Sequence, residues 1–238
     1  MPDPRPTSDK DAALVQGMFD RVAARYDLGN AVLSFGSDQH WRRCAVRALD
    51  LRPGERVLDV ATGTGRLARE VQATGAVPVA LDFSWNMLAV GAAAERRSGD
   101  RRLDWVNGDG TRLPFADDTF DAATIGFGLR NLPDPRAGLA EFARVVRPGG
   151  RVVVLEFSTP TNRLLRTVYA DYLVGALPRI ADWVTSDPAA YRYLAESILA
   201  WPDQAGLAAW MADAGLVRPR WQDLTGGIVA VHHARTPA

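Results

Sequence analysis

The feature that constrains the fold most is a regular alternation of two patterns, which begins near Leu51. Short apolar stretches with strand character alternate with stretches that have helical spacing. Parallel strands need a crossover connection, and a helix usually provides it, so the alternation predicts a parallel sheet with helices on both faces. The strands that the pattern predicts span residues 56–60, 77–82, 103–106, 120–125 and 151–157.

The ends of the chain depart from this alternation. Helical spacing covers residues 161–184 and 207–214, and two last strands are predicted at 218–224 and 228–233. The turn Thr225-Gly226-Gly227 between them favours an antiparallel hairpin at one end of the sheet. The predicted organisation is a tail and helical cap in 1–50, an α/β core in 51–160, a helical insertion or lid in 161–205, and a last helix and strands that complete the sheet in 206–238.

Composition excludes several classes of protein. The 28 basic and 28 acidic side chains give a formal net charge of zero, which disfavours a broad electrostatic footprint for nucleic acid. The single cysteine, Cys44, cannot form an internal disulfide, and no Cys/His cluster suits zinc. The sequence has neither an apolar stretch of about eighteen residues nor the apolar core of a signal peptide. We therefore expect a cytoplasmic protein that binds neither metal nor nucleic acid.

The sharp turn LDVATGTGRLA, residues 58–68, joins the first predicted strand to the next helix. Its GTGRLA segment fits the loose dinucleotide fingerprint G-x-G-x-x-G/A. Taken alone this is weak, because many strand-to-helix turns carry two glycines simply in order to bend. Gly63 and Gly65 would let a ligand approach the backbone. The free N–H groups at the start of the helix suit a carboxylate as well as a phosphate.

Acidic residues stand at the ends of three predicted strands. Asp59 precedes the glycine turn, Asp82 ends the second strand, and Asp109-Gly110 follows the third. A carboxylate at the end of the second strand can accept hydrogen bonds from both hydroxyl groups of a ribose, and Asp109 can accept one from an adenine amino group. Each aspartate alone could be a helix cap or a turn former. The joint pattern favours a ligand that contains adenosine.

Several motifs carry a resemblance to a known family. LDVATGTG, ALDFS, NGDGTRLPF, DDTFDAATIGFGLRN and RVVRPGGRVVVLEFS resemble the class I S-adenosylmethionine-dependent methyltransferases. More narrowly, MFDRVAARYDLGN, FGLRNLPD, EFSTPTN, AYRYLAESILAWPDQ and LTGGIVAVH are similar to the ubiquinone/menaquinone biosynthesis C-methyltransferase family. The resemblance runs from about Met18 to His232. It implies a Rossmann-like α/β fold with a mostly parallel, doubly wound sheet, an antiparallel last strand, an N-terminal helical cap and a helical insertion.

The resemblance implies S-adenosylmethionine as the cofactor. The glycine turn would take its carboxylate, Asp59 and nearby carbonyls its ammonium group, Asp82 its ribose, and Asp109-Gly110 its adenine. A dinucleotide would not need the acid at Asp59, so a nicotinamide-dependent dehydrogenase is disfavoured. The cofactor-binding residues that the resemblance implies are Tyr26, Asp59, Gly63, Thr64, Gly65, Asp82, Phe83, Met87, Asp109, Gly110 and Gly126.

The implied acceptor is the ring of a prenylated quinol, with conversion of demethylmenaquinol to menaquinol as the expected reaction. Arg130 and Asn131 follow the fourth strand, where an acceptor should lie. Arg130 cannot act as a base, but it can hold a phenolate or orient a water that Asn131 also holds. His232 is the candidate base because of its pKa range. Alternatives are an ion pair between Arg130 and Asp134, and a His232 that is merely packed.

One departure from the family leaves a second enzymatic function open. Gly126 stands where the family usually has Ser, which removes a hydroxyl close to the expected cofactor. This favours, as an alternative, a relative that methylates another phenolic ring in specialised metabolism. A cofactor-binding protein without catalytic activity is disfavoured, since the FGLRN segment on the acceptor side is intact.

A prenylated quinol resides in the membrane, so its tail needs a route to the site. The helical stretch around residues 164–180 has an apolar stripe, which we expect to line a groove beside Arg130. Nearby arginines could contact anionic headgroups at the inner face of the membrane. Packing of the stripe on the core or on the second subunit of a homodimer is the alternative. The stripe comprises Leu165, Val168, Tyr169, Tyr172, Leu173, Ala176 and Leu177, and the arginines are Arg163, Arg166 and Arg179.

Overall fold

The computed structural model describes Gly17 and residues 36–99, 102–176 and 188–238. Seven strands lie within these ranges: β1 Arg56–Val60, β2 Val77–Asp82, β3 Asp104–Asn107, β4 Phe120–Gly126, β5 Val146–Phe157, β6 Val217–Leu224 and β7 Val229–Arg235. The described helices are α1 Asp38–Leu49, α2 Arg66–Gln72, α3 Trp85–Ser98, α4 Pro135–Val145, α5 Arg163–Asp171, α6 Pro188–Leu199 and α7 Gln204–Asp213.

The strands form one sheet in the order β3-β2-β1-β4-β5-β7-β6. The first five are parallel, whereas β7 runs antiparallel to both β5 and β6. The predicted parallel sheet and the predicted hairpin at one end are therefore confirmed. The chain builds outward from β1 through β2 to β3, then returns to place β4 on the other side of β1. Ligands of such sheets bind beyond the carboxyl ends of the strands at this switch in order.

Alternate residues of the central strands pack into two separate hydrophobic cores, one on each face of the sheet. Leu58 and Val60 of β1 pack on one face with Phe142 of α4. Val57, one position earlier, packs on the other face with Trp41 of α1. Successive side chains of a strand point to opposite faces, and both faces here are covered. Asp59 is on the α1 face of β1, and it has 1% of its surface exposed. The fold thus buries a carboxylate beside the glycine turn.

Gly65 is required where β1 passes into α2. Its φ of 81° lies in the left-handed region, which glycine adopts without the steric cost of a Cβ. A Cβ at this position would also lie 2.5 Å from Cη2 of Trp105 on β3. Glycine at position 65 therefore allows both the left-handed backbone conformation of the turn and the close packing of α2 against the sheet.

Several element boundaries differ from the sequence prediction by one or two residues, and the starts of β5 and α7 differ by more. β5 begins at Val146, directly after α4, rather than at Arg151, because Val146 pairs with Phe120 before a register irregularity in β4. α7 begins at Gln204 rather than at Leu207, since the Asp203 side chain caps it by accepting a hydrogen bond from Gly206 N.

The predicted insertion contains more than one helix. Asn162 caps α5, which continues as a π-helical turn from Tyr172 to Ala176, and α6 follows after residues that the structure does not describe. The predicted helical cap before α1, with the predicted cofactor-binding residue Tyr26, also lies outside the described residues. None of the helices within the described ranges has the length and apolar content needed to cross a membrane.

Candidate active site

A cavity of about 600 Å³ opens at the switch in strand order. Its lining comes from the loops that follow β1, β2, β3 and β4, from the start of α1, and from α5 and α6. Most of the site residues predicted from the sequence meet there, whereas Gly65 lies behind the wall. The predicted residues that line it are Asp59, Gly63, Thr64, Asp82, Phe83, Met87, Asp109, Gly110, Gly126, Arg130 and Asn131.

Asp82 ties the glycine turn to the end of β2. Its Oδ2 accepts a hydrogen bond from Gly63 N at 2.7 Å, and its Oδ1 accepts one from Ser84 N at 2.8 Å. Gly65 N, in turn, donates to the Thr62 carbonyl at 2.9 Å. The N–H groups of both glycines are thus already bonded within the protein. The sequence analysis assigned the cofactor's carboxylate to this turn and to the N–H groups at the start of the next helix; the N–H groups of the two glycines stabilise the turn itself.

Asp59 has an unsatisfied oxygen in the cavity wall. Its Oδ2 accepts a hydrogen bond from the Thr62 hydroxyl at 2.6 Å, while its buried Oδ1 has no hydrogen-bond partner among the described residues. Burial raises the pKa of Asp59 to about 7, although the Thr62 hydrogen bond and the charge of Arg42 oppose the rise. A buried carboxylate oxygen without a partner is costly. An ammonium group placed in the cavity would satisfy it, and this fits the amino acid end of S-adenosylmethionine.

This pKa predicts that cofactor binding depends on pH. In the free protein Asp59 is protonated below about pH 7, whereas pairing with an ammonium group favours the carboxylate, so binding should release a proton. The affinity for S-adenosylhomocysteine should therefore rise by about tenfold between about pH 6 and pH 8. Calorimetry in buffers of different ionisation enthalpy would measure the number of protons released per bound ligand. Asp59→Asn should abolish the dependence, and a pH-independent wild-type affinity would contradict the pairing.

Asp109 and Gly110 shape the end of the cavity beside β3. Asp109 Oδ1 accepts from both Thr111 N and the Thr111 hydroxyl at 2.8 Å, so the residue is a turn former as well as part of the lining. A Cβ on Gly110 would lie 3.0 Å from side-chain atoms of Leu132 and Val60. Glycine at 110 lets the loop pass close to the core. Its backbone stays at the cavity surface.

The residues after β2 differ in exposure. Phe83 has 44% of its surface exposed, whereas Met87, one turn into α3, has 2%. Both line the cavity. Phe83 therefore lies at the solvent-exposed edge of the lining, whereas Met87 belongs to its buried part.

Arg130 forms a buried ion pair on the acceptor side of the cavity. Its Nη1 lies 2.7 Å from Glu156 Oε1, and the two side chains are 6% and 1% exposed. The same nitrogen donates to the Phe127 carbonyl at 2.7 Å, and the guanidinium lies over the Phe157 ring. The ion-pair partner considered from the sequence, Asp134, instead caps α4 by accepting from Arg136 N and Ala137 N. Arg130 is therefore held in a fixed orientation at the cavity wall.

Asn131 and two tyrosines complete the polar part of this wall. Tyr193 of α6 donates to Asn131 Oδ1 at 3.2 Å. Burial raises the pKa of the Tyr193 hydroxyl and of the Tyr169 hydroxyl, while the charge of Arg130 opposes the rise. Both phenols remain protonated at neutral pH and can act as hydrogen-bond donors, but not as bases.

The remainder of the acceptor side is apolar and aromatic. Phe127 and Phe157 lie with ring centroids 5.0 Å apart. Tyr172 and Leu173 of the π-helical turn after α5, together with Ile198 of α6, also line the cavity and pack in the same cluster as Phe157. Such a chamber excludes water and suits a large aromatic ligand.

His232 does not reach the cavity, so its prediction as the base is wrong. It lies on β7 with 1% of its surface exposed, and its Nε2 is 2.9 Å from the Gln204 carbonyl. A carbonyl only accepts, so Nε2 carries the proton. Burial lowers the pKa of His232, although the Gln204 carbonyl opposes the change. The side chain is packed between β7 and α7, and His233 faces the other way, as the strand pattern predicts.

The sequence analysis missed two groups of residues that matter for the cavity. One is Glu156, a buried residue behind the lining that pairs with Arg130; its motif EFSTPTN had been noted but the pairing had not. The other comprises Asp38 and Arg42 on α1, with Arg66 at the start of α2. In the sequence, these charged residues have the pattern that is typical of a helix face exposed to solvent. Only the docking of α1 against α2 shows that they point inward.

Comparison with known proteins adds independent information. The model of the ubiE/COQ5 methyltransferase family matches residues 7–236. A curated relative from Mycolicibacterium paratuberculosis, named demethylmenaquinone methyltransferase, is 58% identical over 229 residues, which cover 96% of each chain. A relative of the same name from Mycobacterium tuberculosis is 55% identical over 233 residues, or 98% of this chain and 97% of the relative. The family resemblance inferred from the motifs is thereby confirmed.

Solved structures with little sequence similarity share the fold. One belongs to the complex between the Haloferax volcanii Trm112 methyltransferase activator and a putative methyltransferase, with a TM-score of 0.67, 18% identity and coverage of 92% of this chain and 98% of the other. Another is a S-adenosylmethionine-dependent methyltransferase from Thermotoga maritima, with a TM-score of 0.65, 18% identity and coverage of 92% and 99%. These similarities confirm the Rossmann-like methyltransferase fold.

Proposed function

The chain belongs to the ubiE/COQ5 methyltransferase family, and we propose that it methylates a ring carbon of demethylmenaquinol with S-adenosylmethionine as the donor. The relatives named demethylmenaquinone methyltransferase support this acceptor. The main observation behind the proposal is that one cavity has two chemically different sides. Asp59, Asp82 and Asp109 lie on one side of it, and Arg130 with Asn131 lies on the other.

The residues present fit the donor from one end to the other. Asp109 and Gly110 would hold the adenine, Asp82 the ribose, and Oδ1 of Asp59 the ammonium group. The strand order β3-β2-β1-β4 places these residues in the same sequence across the sheet. When bound, S-adenosylmethionine supplies a methyl group on a sulfonium, which a carbon nucleophile can take.

The protein must make a quinol carbon nucleophilic, and Arg130 is placed to do so. Loss of a proton from a ring hydroxyl sends electron density to the neighbouring carbon, and a nearby cation stabilises the resulting phenolate. Glu156 balances the charge of Arg130. Arg130 can therefore donate directed hydrogen bonds to the phenolate while the Arg130–Glu156 pair carries no net charge. That balance would stabilise the phenolate and leave its carbon reactive. After the carbon–carbon bond forms, the ring carbon loses its proton and the hydroxyl is restored.

Water is the best candidate for the proton acceptor. Arg130 cannot deprotonate at ordinary pH, and the neighbouring Tyr169 and Tyr193 have raised pKa values. Asn131 lines the cavity beside Arg130, with Oδ1 accepting from Tyr193 and Nδ2 donating to the Phe127 carbonyl at 3.3 Å. We propose that Arg130 and Asn131 together orient a water that takes the hydroxyl proton.

Gly126 is the reason to keep another phenolic ring as an alternative acceptor. A Cβ there would lie 3.1 Å from Leu67 Cδ2, so the serine usual in the family would require a small shift of Leu67. The two acceptors are separated by one competition assay with labelled S-adenosylmethionine, demethylmenaquinol and a panel of simpler phenols. The proposal expects demethylmenaquinol to be methylated preferentially, and preference for a simple phenol would replace it with the alternative.

The prenyl tail needs an apolar route, and α5 is the proposed wall of that route. Tyr169, Tyr172 and Leu173 line the cavity, as the stripe predicts. Leu165 and Val168 are not among the lining residues, and Val168 has 56% of its surface exposed. Leu177 and Arg179 lie outside the described residues. Leu164 and Val168, one helical turn apart, are exposed apolar side chains that form a common face of α5. We propose that this face rests on the membrane; a homodimer stays a prediction.

The route can be tested with substrates that differ only in the tail. Replacing Tyr172 and Leu173 by serine should lower kcat/KM for a long-tailed quinol by about tenfold or more relative to a tailless analogue, because each lost apolar contact removes about 1.5 kcal/mol or more of binding. A matched control is Leu199→Ser, an exposed residue on α6 outside the cavity lining. Equal losses on both quinols would show that α5 is only structural.

A further inference from the structure

The start of α1 brings an unexpected positive charge to the cavity. Arg42 Nη1 donates to Asp38 Oδ2, and Arg66 Nη1 lies 2.7 Å from the same oxygen. All three residues line the cavity. Two guanidinium groups thus share one carboxylate, and the cluster has an excess of one positive charge. We call Arg42 and Arg66 the arginine pair.

The arginine pair has capacity left for an anion. Arg66 Nη1 is buried, and although it is close to Asp38 it has no partner in hydrogen-bond geometry among the described residues. Burial by itself would raise the pKa of Asp38, but the hydrogen bond from Arg42 and the charges of both arginines keep it below its usual value. Asp38 is therefore a carboxylate that fixes the pair in position and does not neutralise it.

The location of the arginine pair matches one part of the proposed donor. Arg42, Arg66 and Asp59 line the same cavity, so the excess positive charge borders the space in which the ammonium group would meet the Asp59 carboxylate. An amino acid tail carries an ammonium and a carboxylate on the same carbon, and it needs this combination of sites. The N–H groups of Gly63 and Gly65 already donate to Asp82 and Thr62, so these two backbone groups are not available to the carboxylate.

We infer that Arg42 and Arg66 bind the carboxylate of the donor's amino acid tail, with Asp38 as their positioning residue. This inference rests on the proposed function, since it assumes that donor. It assigns recognition of the tail to side chains of α1 and α2, whereas the sequence motif assigned it to the backbone of the glycine turn. The site thereby distinguishes an adenosyl amino acid from other adenosine compounds that lack the carboxylate.

Calorimetric titration of the full chain with two ligands tests the inference. S-adenosylhomocysteine has the carboxylate, and its decarboxylated analogue retains the adenosine, the thioether and the ammonium group. Wild-type protein should bind the analogue about tenfold to a hundredfold more weakly, the usual range for a lost charge-assisted hydrogen bond. Arg66→Gln should weaken S-adenosylhomocysteine by about tenfold and change the analogue by less than about twofold. Arg42→Gln should also weaken S-adenosylhomocysteine by about tenfold, and it should weaken the analogue as well, because the charge of Arg42 favours ionised Asp59. The matched control is Arg43→Gln, on the same helix with 53% of its side chain exposed.

The outcomes are distinct. Equal weakening of both ligands by Arg66→Gln would show a purely structural role, and an unchanged affinity for S-adenosylhomocysteine would show no contact; either result overturns the inference. The Arg66 side chain is 31% exposed, so Arg66→Gln should fold even if Arg42→Gln does not. The result for Arg66→Gln is sufficient to test the inference. Failure of wild-type protein to bind either ligand would contradict the proposed donor itself, and the inference with it.

Discussion

Replacing Arg130 with lysine should lower kcat by about a hundredfold to a thousandfold, while the affinity for S-adenosylhomocysteine stays within about twofold of wild type. Arg130 contacts Glu156, the Phe127 carbonyl and the acceptor side of the cavity at once. A lysine retains the charge but not the planar fork that makes several directed hydrogen bonds. It would pair with Glu156 and leave the phenolate without its fixed donor.

The control for this substitution is Arg136→Lys. Arg136 is an exposed arginine on α4 that pairs with Asp213 and lies over the Trp210 ring, so the chemical change is the same at a place remote from the cavity. Initial rates at saturating donor, together with calorimetry, separate turnover from binding. Turnover of Arg130→Lys near that of wild type would remove Arg130 from the mechanism.

The second large effect is expected at Asp82. Asp82→Ala should weaken S-adenosylhomocysteine by about 1–3 kcal/mol, or about tenfold to a hundredfold, because the ribose loses a charged acceptor. The substitution also releases Gly63 N and Ser84 N from their hydrogen bonds, so the turn itself should loosen. A decrease in melting temperature should therefore accompany the loss of affinity, although the core strands around it stay packed.

Asp82→Asn separates the two contributions. The amide has one acceptor oxygen, so it can accept from Gly63 N or from Ser84 N but not from both. Part of the thermal stability should therefore return, while the affinity stays low because the charge is lost. Asp104→Ala, an exposed carboxylate at the start of β3, is the matched control for loss of one negative charge. Unchanged affinity in a folded Asp82→Ala protein would show that the ribose lies elsewhere.

The parts of the fold predicted from the sequence depend on local patterns. Strands β1 and β2 have the predicted ends, because a continuous apolar run bounded by a turn determines both limits. The positions of Asp59, Asp82 and Asp109 in one cavity could also be predicted. They follow strands that are parallel, and the carboxyl ends of parallel strands lie at one edge of the sheet.

The parts that could not be predicted depend on contacts between distant segments. Glu156 meets Arg130 across 26 positions of the chain, and no spacing rule links an acid at the end of one strand to an arginine after another. The arginine pair forms only because α1 docks on α2. For His232 the alternation of the strand correctly placed it opposite His233, but alternation does not tell which face meets the cavity.

The central claim is that the methyl group goes to carbon. The most direct measurement is an incubation of the full chain with demethylmenaquinol and S-adenosylmethionine that carries a carbon-13 methyl group, followed by mass spectrometry and carbon NMR of the extracted product. The account predicts a single labelled methyl group on the quinone ring, with the chemical shift of an aryl methyl carbon. A label found as an aryl methyl ether, or a demethylmenaquinol recovered unlabelled from protein that binds S-adenosylhomocysteine, would contradict it.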